Sequence, residues 1–154
     1  MMSITVVHLD DDKHLGAVNA KRVVEKIGAP ENRLRYRGFQ STVAFFDHLN
    51  DRSNHFIKAQ RFILDHRMPV PGPADWWPCR HFDDTEDNVG VAIAAHLVTH
   101  YQVAIGNILF YSLSSRGEFA DRLGRLEEVG NGDRLGHFQK ADIPGLMQAV
   151  QQWV

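Results

Sequence analysis

Residues 4–12 read ITVVHLDDD: a short run of β-branched and apolar side chains that ends abruptly on Asp10, Asp11 and Asp12. Such a run fits a buried strand whose carboxyl end opens onto polar residues. The same pattern recurs along the chain. Residues 61–64, RFIL, lead into Asp65, residues 108–111, ILFY, into Ser112, and residues 135–139, LGHFQ, into Lys140. A further strand fits residues 34–39.

Between these runs the apolar residues take helical spacing. Leu15, Val18, Val23, Val24 and Ile27 form one stripe, closed by Gly28 and Pro30. Ser41 can cap a helix through Val43, Phe46 and Leu49. Helices are also expected over residues 89–101 and 118–129, the latter carrying Phe119, Leu123 and Leu126. Leu146, Val150 and Trp153 mark the last one. Five strands alternating with five helices define a doubly wound α/β domain with a parallel sheet and helices on both faces. In such sheets the ligand site lies beyond the carboxyl ends of the strands.

The residues at those ends form a chemical set. The carboxylates of Asp10, Asp11 and Asp65, a hydroxyl and an ammonium would converge on one edge of the sheet. Crowded carboxylates repel, and a hard divalent cation with oxygen ligands relieves the repulsion. Mg²⁺, held by one or two carboxylates and completed by water and phosphate, fits this set.

The segments VVHLDDDKHL, FILDHRMP, ILFYS and HFQK, in this order, resemble the four signature stretches of response-regulator receiver domains. The resemblance covers the chain apart from the long loop after Pro69. It implies a CheY-like, flavodoxin-like sheet of order 2-1-3-4-5 and a single domain over residues 1–154, with an enlarged loop at 70–89. It also implies a phosphorylation switch of a two-component phosphorelay. Asp65 matches the phosphoacceptor, which is also a metal ligand, and Asp10 and Asp11 the acidic pair that binds Mg²⁺, with Asp11 the direct ligand and Asp10 acting largely through water. Arg67 would lend its backbone carbonyl to the metal. Ser112 matches the hydroxyl that bonds the phosphoryl group, Lys140 the lysine that pairs with it, and His137 stands where the family has an aromatic switch residue. Ala141 replaces the usual proline after the lysine.

The implied partners are a sensor histidine kinase or histidine phosphotransfer protein and a downstream protein target, with dimerisation on phosphorylation a further expectation. The net charge of −2 gives no overall basic footprint for nucleic acid, no apolar run reaches bilayer length, and no export signal opens the chain. Cys79 is the single cysteine, which excludes an internal disulfide and fits a cytoplasmic protein. A stand-alone receiver is expected, or one excised from a longer regulator. The receiver catalyses only its own phosphotransfer and dephosphorylation.

Two other readings compete. A pseudo-receiver would keep the fold as a protein-interaction module without phosphorylation. A phosphatase of the haloacid dehalogenase type would need a second aspartate where Arg67 stands. Asp12 is read as a helix cap, and His96 with His100 as a solvated helix face rather than a zinc site. The acids Asp83, Asp84, Glu86 and Asp87 are read as a solvated loop, and Trp76 with Trp77 as aromatics folding back near the acidic pocket to take part in partner choice.

Overall fold

Strands β1 (Ile4–Leu9), β2 (Leu34–Phe39), β3 (Arg61–Leu64), β4 (Ile108–Ser112) and β5 (Gly136–Gln139) pair in parallel in the order β2-β1-β3-β4-β5. This is the flavodoxin-like order. Among the described residues five α-helices connect and follow them: α1 (Leu15–Gly28), α2 (Thr42–Asn50), α3 (Val89–His100), α4 (Ala120–Val129) and α5 (Ile143–Gln151). The computed structural model describes residues 3–12, 15–29, 31, 33–51, 56–68, 89–130 and 132–154. Trp76, Trp77, Cys79 and the acids at 83–87 lie outside the described residues, as does most of the 70–89 loop. Val89, where the sequence put both the end of that loop and the start of the next helix, is the first residue of α3 and is buried.

Strand alternation sends successive side chains to opposite faces and so builds two cores. On one face Val7, Leu9, Phe62, Leu64 and Phe110 pack against Phe45 of α2, Ile93 and Leu97 of α3, and Leu123 of α4. On the other, Val6, Ile63, Leu109 and Tyr111 meet Ala20 and Val24 of α1 and Leu146 and Val150 of α5. β1, β3 and β4 are apolar on both sides because helices cover both faces. The edge strands are more polar: β2 leaves Arg35 and Arg37 exposed.

Sequence and structure differ at a few boundaries. β5 begins at Gly136 rather than Leu135, because side chains take both backbone groups of Leu135. Its N–H donates to Glu127 Oε2 at 2.7 Å and its carbonyl accepts from Arg116 at 2.8 Å. The helix expected from residue 118 starts as a 3-10 turn over Arg116–Phe119 and becomes α-helical at Ala120. Val18, counted in the apolar stripe of α1, is 42% exposed. Ser41 caps α2 as expected, accepting from the Ala44 N–H at 3.2 Å. Among the described residues no helix is long and apolar enough to cross a membrane.

The start of α3 sits directly on the end of β3. The Gly90 N–H donates to the His66 carbonyl at 3.0 Å, and a Cβ on Gly90 would overlap the Asp65 carbonyl oxygen. Neither partner is a flexible side-chain end, so the backbone would have to move. Gly90→Ala should destabilise the fold by about 2 kcal/mol in urea unfolding. A stability equal to that of the parent would contradict this packing.

Candidate functional site

The sheet ladder continues one residue beyond three strands, and that extension positions the charged groups. The Asp10 N–H donates to the Phe39 carbonyl at 3.1 Å, the Asp65 N–H to the Leu9 carbonyl at 3.2 Å, and the Lys140 N–H to the Ser112 carbonyl at 2.8 Å. Each side chain therefore leaves a backbone already fixed by the sheet. By alternation, Asp10 follows Val6, and Asp65 follows Ile63, onto the face covered by α1 and α5.

These groups meet around the Lys140 ammonium. Its Nζ lies 2.9 Å from Asp10 Oδ2, 3.3 Å from Asp65 Oδ2 and 3.5 Å from Asp12 Oδ2. Lys140 and Asp10 are almost wholly buried, at 2% and 1% exposure. A buried ammonium is tolerable only with such partners. Gly16, in the first turn of α1, makes room for the cluster: a Cβ there would collide with Asp10 Oδ2 and lie 3.0 Å from Lys140 Nζ.

The carboxylates differ in ionisation. Burial acts to raise the Asp10 carboxyl, but His8, the Asp12 N–H and Lys140 outweigh it and hold the group below its ordinary value. Burial, followed by the charge of Asp10, raises Asp65, against the pull of Lys140 and the Ser112 hydroxyl. Asp11 is exposed, yet burial of part of the group and the charge of Asp10 raise it too. For Lys140, burial acts to lower the ammonium, and the attraction of Asp65 and Asp10 reverses this and raises it.

The sequence-derived residues fall into three groups. Asp10, Asp65, Ser112 and Lys140 are buried together at the carboxyl end of the sheet. Carboxylate oxygens of Asp10, Asp11 and Asp65 lie within 4.8 Å of one another, close enough to share one cation. The donor set is all hard oxygen, and Asp10 Oδ2 receives no hydrogen bond from the described residues, so it suits a cation of the Mg²⁺ type. Asp12 does cap α1, accepting from the Gly16 N–H at 3.3 Å, and also faces Lys140. Arg67 keeps its side chain exposed two residues beyond Asp65.

His137 lies on the opposite face of the sheet from Lys140. It stacks at 5.0 Å on His66, whose ring is sandwiched between Phe110 at 4.2 Å and Phe119 at 3.8 Å. His66 is fully buried and its pKa is lowered to about 3 by burial, then by His137 and two arginines, so the ring is neutral. His96 and His100 stack on each other at 4.8 Å, His96 half-buried and His100 exposed.

Two contributors escaped the reading of sequence. Tyr111 is buried in β4 and donates its hydroxyl to the Lys140 carbonyl at 2.8 Å, so Lys140 is held by sheet on one side and by a side chain on the other. His8 is buried beside Asp10, its Nε2 3.6 Å from Oδ2. A polar residue within an otherwise apolar strand was the available signal for His8. Tyr111 carried none, because a tyrosine in a strand is ordinary. No family model matches the chain, and comparison with curated proteins finds no match.

Removing Lys140 should expose the energetics of the cluster. In the parent, depressed Asp10 contributes stability that is present above the ordinary carboxylate pKa and is lost as pH falls through its lowered value. Elevated Lys140 contributes stability that is complete below the ordinary lysine pKa and is lost as pH rises through its raised value. Lys140→Met leaves buried carboxylates without a counter-charge and should cost about 3 kcal/mol at neutral pH. Those carboxyls would then titrate above their unfolded values, so mild acid should restore part of the loss. Urea melts at neutral and mildly acidic pH test this, and an equal deficit at both would contradict it.

Proposed function

We propose that this chain is a receiver domain of a two-component phosphorelay, a switch that accepts a phosphoryl group on Asp65 in the presence of Mg²⁺. The observation that carries the reading is the meeting of Asp10, Asp65 and Lys140 at the carboxyl end of a 2-1-3-4-5 sheet, with Lys140 Nζ within 3.3 Å of Asp65 Oδ2. Ser112, buried beside them at the end of β4, adds a hydroxyl donor. The four signature-like segments supply these residues in receiver order.

In this mechanism an Asp65 carboxylate oxygen attacks the phosphorus of a phosphohistidine on the donor kinase or phosphotransfer protein. The P–O bond of an acyl phosphate forms as the P–N bond breaks, and the departing imidazole takes up a proton. Burial and Asp10 keep Asp65 more basic than an ordinary carboxylate, which favours attack once the group is ionised. Oxygens of Asp10, Asp11 and Asp65, with the Arg67 carbonyl, would hold Mg²⁺, which supplies charge neutralisation for the phosphoryl group. Lys140 is near enough to exchange an Asp65 oxygen for a phosphoryl oxygen, and Ser112 to donate to another. The resulting shift of Lys140 and Ser112 would carry the signal to a downstream protein. His137, stacked on His66 beside β4, would respond to it.

Incubation with acetyl phosphate and Mg²⁺ should add one phosphoryl group by intact mass, and Asp65→Asn should abolish the addition while leaving the fold intact. The rate should fall in acid, because the protonated carboxyl is no nucleophile. Full labelling of Asp65→Asn at the parent rate would overturn the assignment. A folded parent that takes no phosphoryl group would favour the pseudo-receiver.

A further inference from the structure

Val6 and His8 of β1, and Asp10 just beyond it, point to the same face, that of Ile63, Leu109 and Tyr111. An imidazole buried there to 1% exposure is costly unless its nitrogens are engaged. One of them is. Nδ1 lies 2.7 Å from the hydroxyl of Tyr36 on the neighbouring edge strand, with the two rings edge to face at 5.8 Å. The other, Nε2, has no hydrogen-bond partner among the described residues and lies 3.6 Å from Asp10 Oδ2, which receives none from them either.

We propose that His8 is a positioning residue for Asp10, donating from Nε2 to Oδ2, with Tyr36 fixing the tautomer by donating to Nδ1. The alternative neutral tautomer would turn a lone pair of Nε2 toward a carboxylate oxygen. Tyr36 is equipped to donate: burial, then the charges of Asp10 and Glu25, raise its phenol well above the ordinary value, so it keeps its proton.

The role follows from how Asp10 is otherwise held. Oδ1 accepts from the Asp12 N–H at 2.8 Å and from Lys140 at 3.2 Å, while Oδ2 has only its ion pair with Lys140. Lys140 is shared among three acids. When its ammonium moves toward a phosphoryl group on Asp65, Oδ2 keeps His8 as its anchor after a closure of a few tenths of an ångström. His8 thereby holds the carboxylate in one orientation toward the cation while Lys140 changes partner. Supporting groups of this kind set metal affinity without touching the metal.

This inference rests on the metal-centre reading above, and its test separates the two. Mn²⁺, a paramagnetic substitute for Mg²⁺, is titrated into the full chain and followed by electron paramagnetic resonance. His8→Leu should weaken Mn²⁺ binding about tenfold without lowering the melting temperature. His8→Gln, which carries an N–H donor of similar reach, should recover most of the affinity, a rescue that a space-filling role would not show. Nitrogen-15 NMR of the metal-free parent should report the Nε2–H tautomer for His8, and Tyr36→Phe should weaken that preference. A parent that binds Mn²⁺ no better than His8→Leu, or an Nδ1–H tautomer, would overturn the role of His8. A parent that binds no Mn²⁺ would overturn the metal-centre reading itself.

Discussion

A buried cation organises this molecule. Lys140 brings a full positive charge to a place with 2% solvent exposure, where only close opposite charge makes it tolerable. Asp10, Asp12 and Asp65 supply that charge from two strand ends and a helix cap. The requirement spreads outward. Gly16 must lack a side chain so that α1 can pass the cluster, and Gly90 must lack one so that α3 can start against the Asp65 carbonyl. The Tyr111 hydroxyl and the Ser112 carbonyl secure both backbone groups of Lys140, where a receiver would ordinarily have a proline at the position of Ala141. Stability and, under the receiver reading, chemistry therefore depend on the same contact.

The sheet then divides the neighbourhood in two. Asp65 faces the acids and the lysine, while His66, the next residue, turns into the aromatic core with Phe110, Phe119 and His137. Neither ring nitrogen of His66 has a hydrogen-bond partner among the described residues, which makes the imidazole an expensive substitute for an apolar ring at that place. Its parallel stacking links the residue after Asp65 to the 3-10 turn before α4 and to β5. Under the receiver reading this stack is the physical connection between the phosphoryl site and the α4–β5 side of the domain. His8 plays the corresponding part on the other face, linking Asp10 to the edge strand through Tyr36.

Much of this was legible in the sequence because it follows from local rules. Apolar runs of strand length, alternating with stripes of helical period, determined the α/β class and all five strands to within a residue. The order 2-1-3-4-5 came with the resemblance to receivers, and the pairing bears it out. The polar residue closing each run determined which side chains would gather, since a parallel sheet brings the carboxyl ends of its strands to one edge. Asp10, Asp65, Ser112 and Lys140 were identifiable on that ground. The boundary at Leu135 was not, because it depends on Glu127 and Arg116 arriving from elsewhere in the chain to take the backbone bonds a strand would use.

What only the tertiary structure decided is how those residues face one another. Three consecutive aspartates look equivalent in sequence, but strand alternation and the turn into α1 bury Asp10, leave Asp11 exposed, and set Asp12 between helix cap and lysine. The same geometry turns His8 from one more residue of a strand into the neighbour of a carboxylate, and Tyr111 into the clamp on Lys140. Sequence determined the inventory at the sheet edge, because strand endings are local. Proximity determined the roles, because a carboxylate's ionisation and a histidine's tautomer are set by groups within a few ångströms, whatever their separation along the chain.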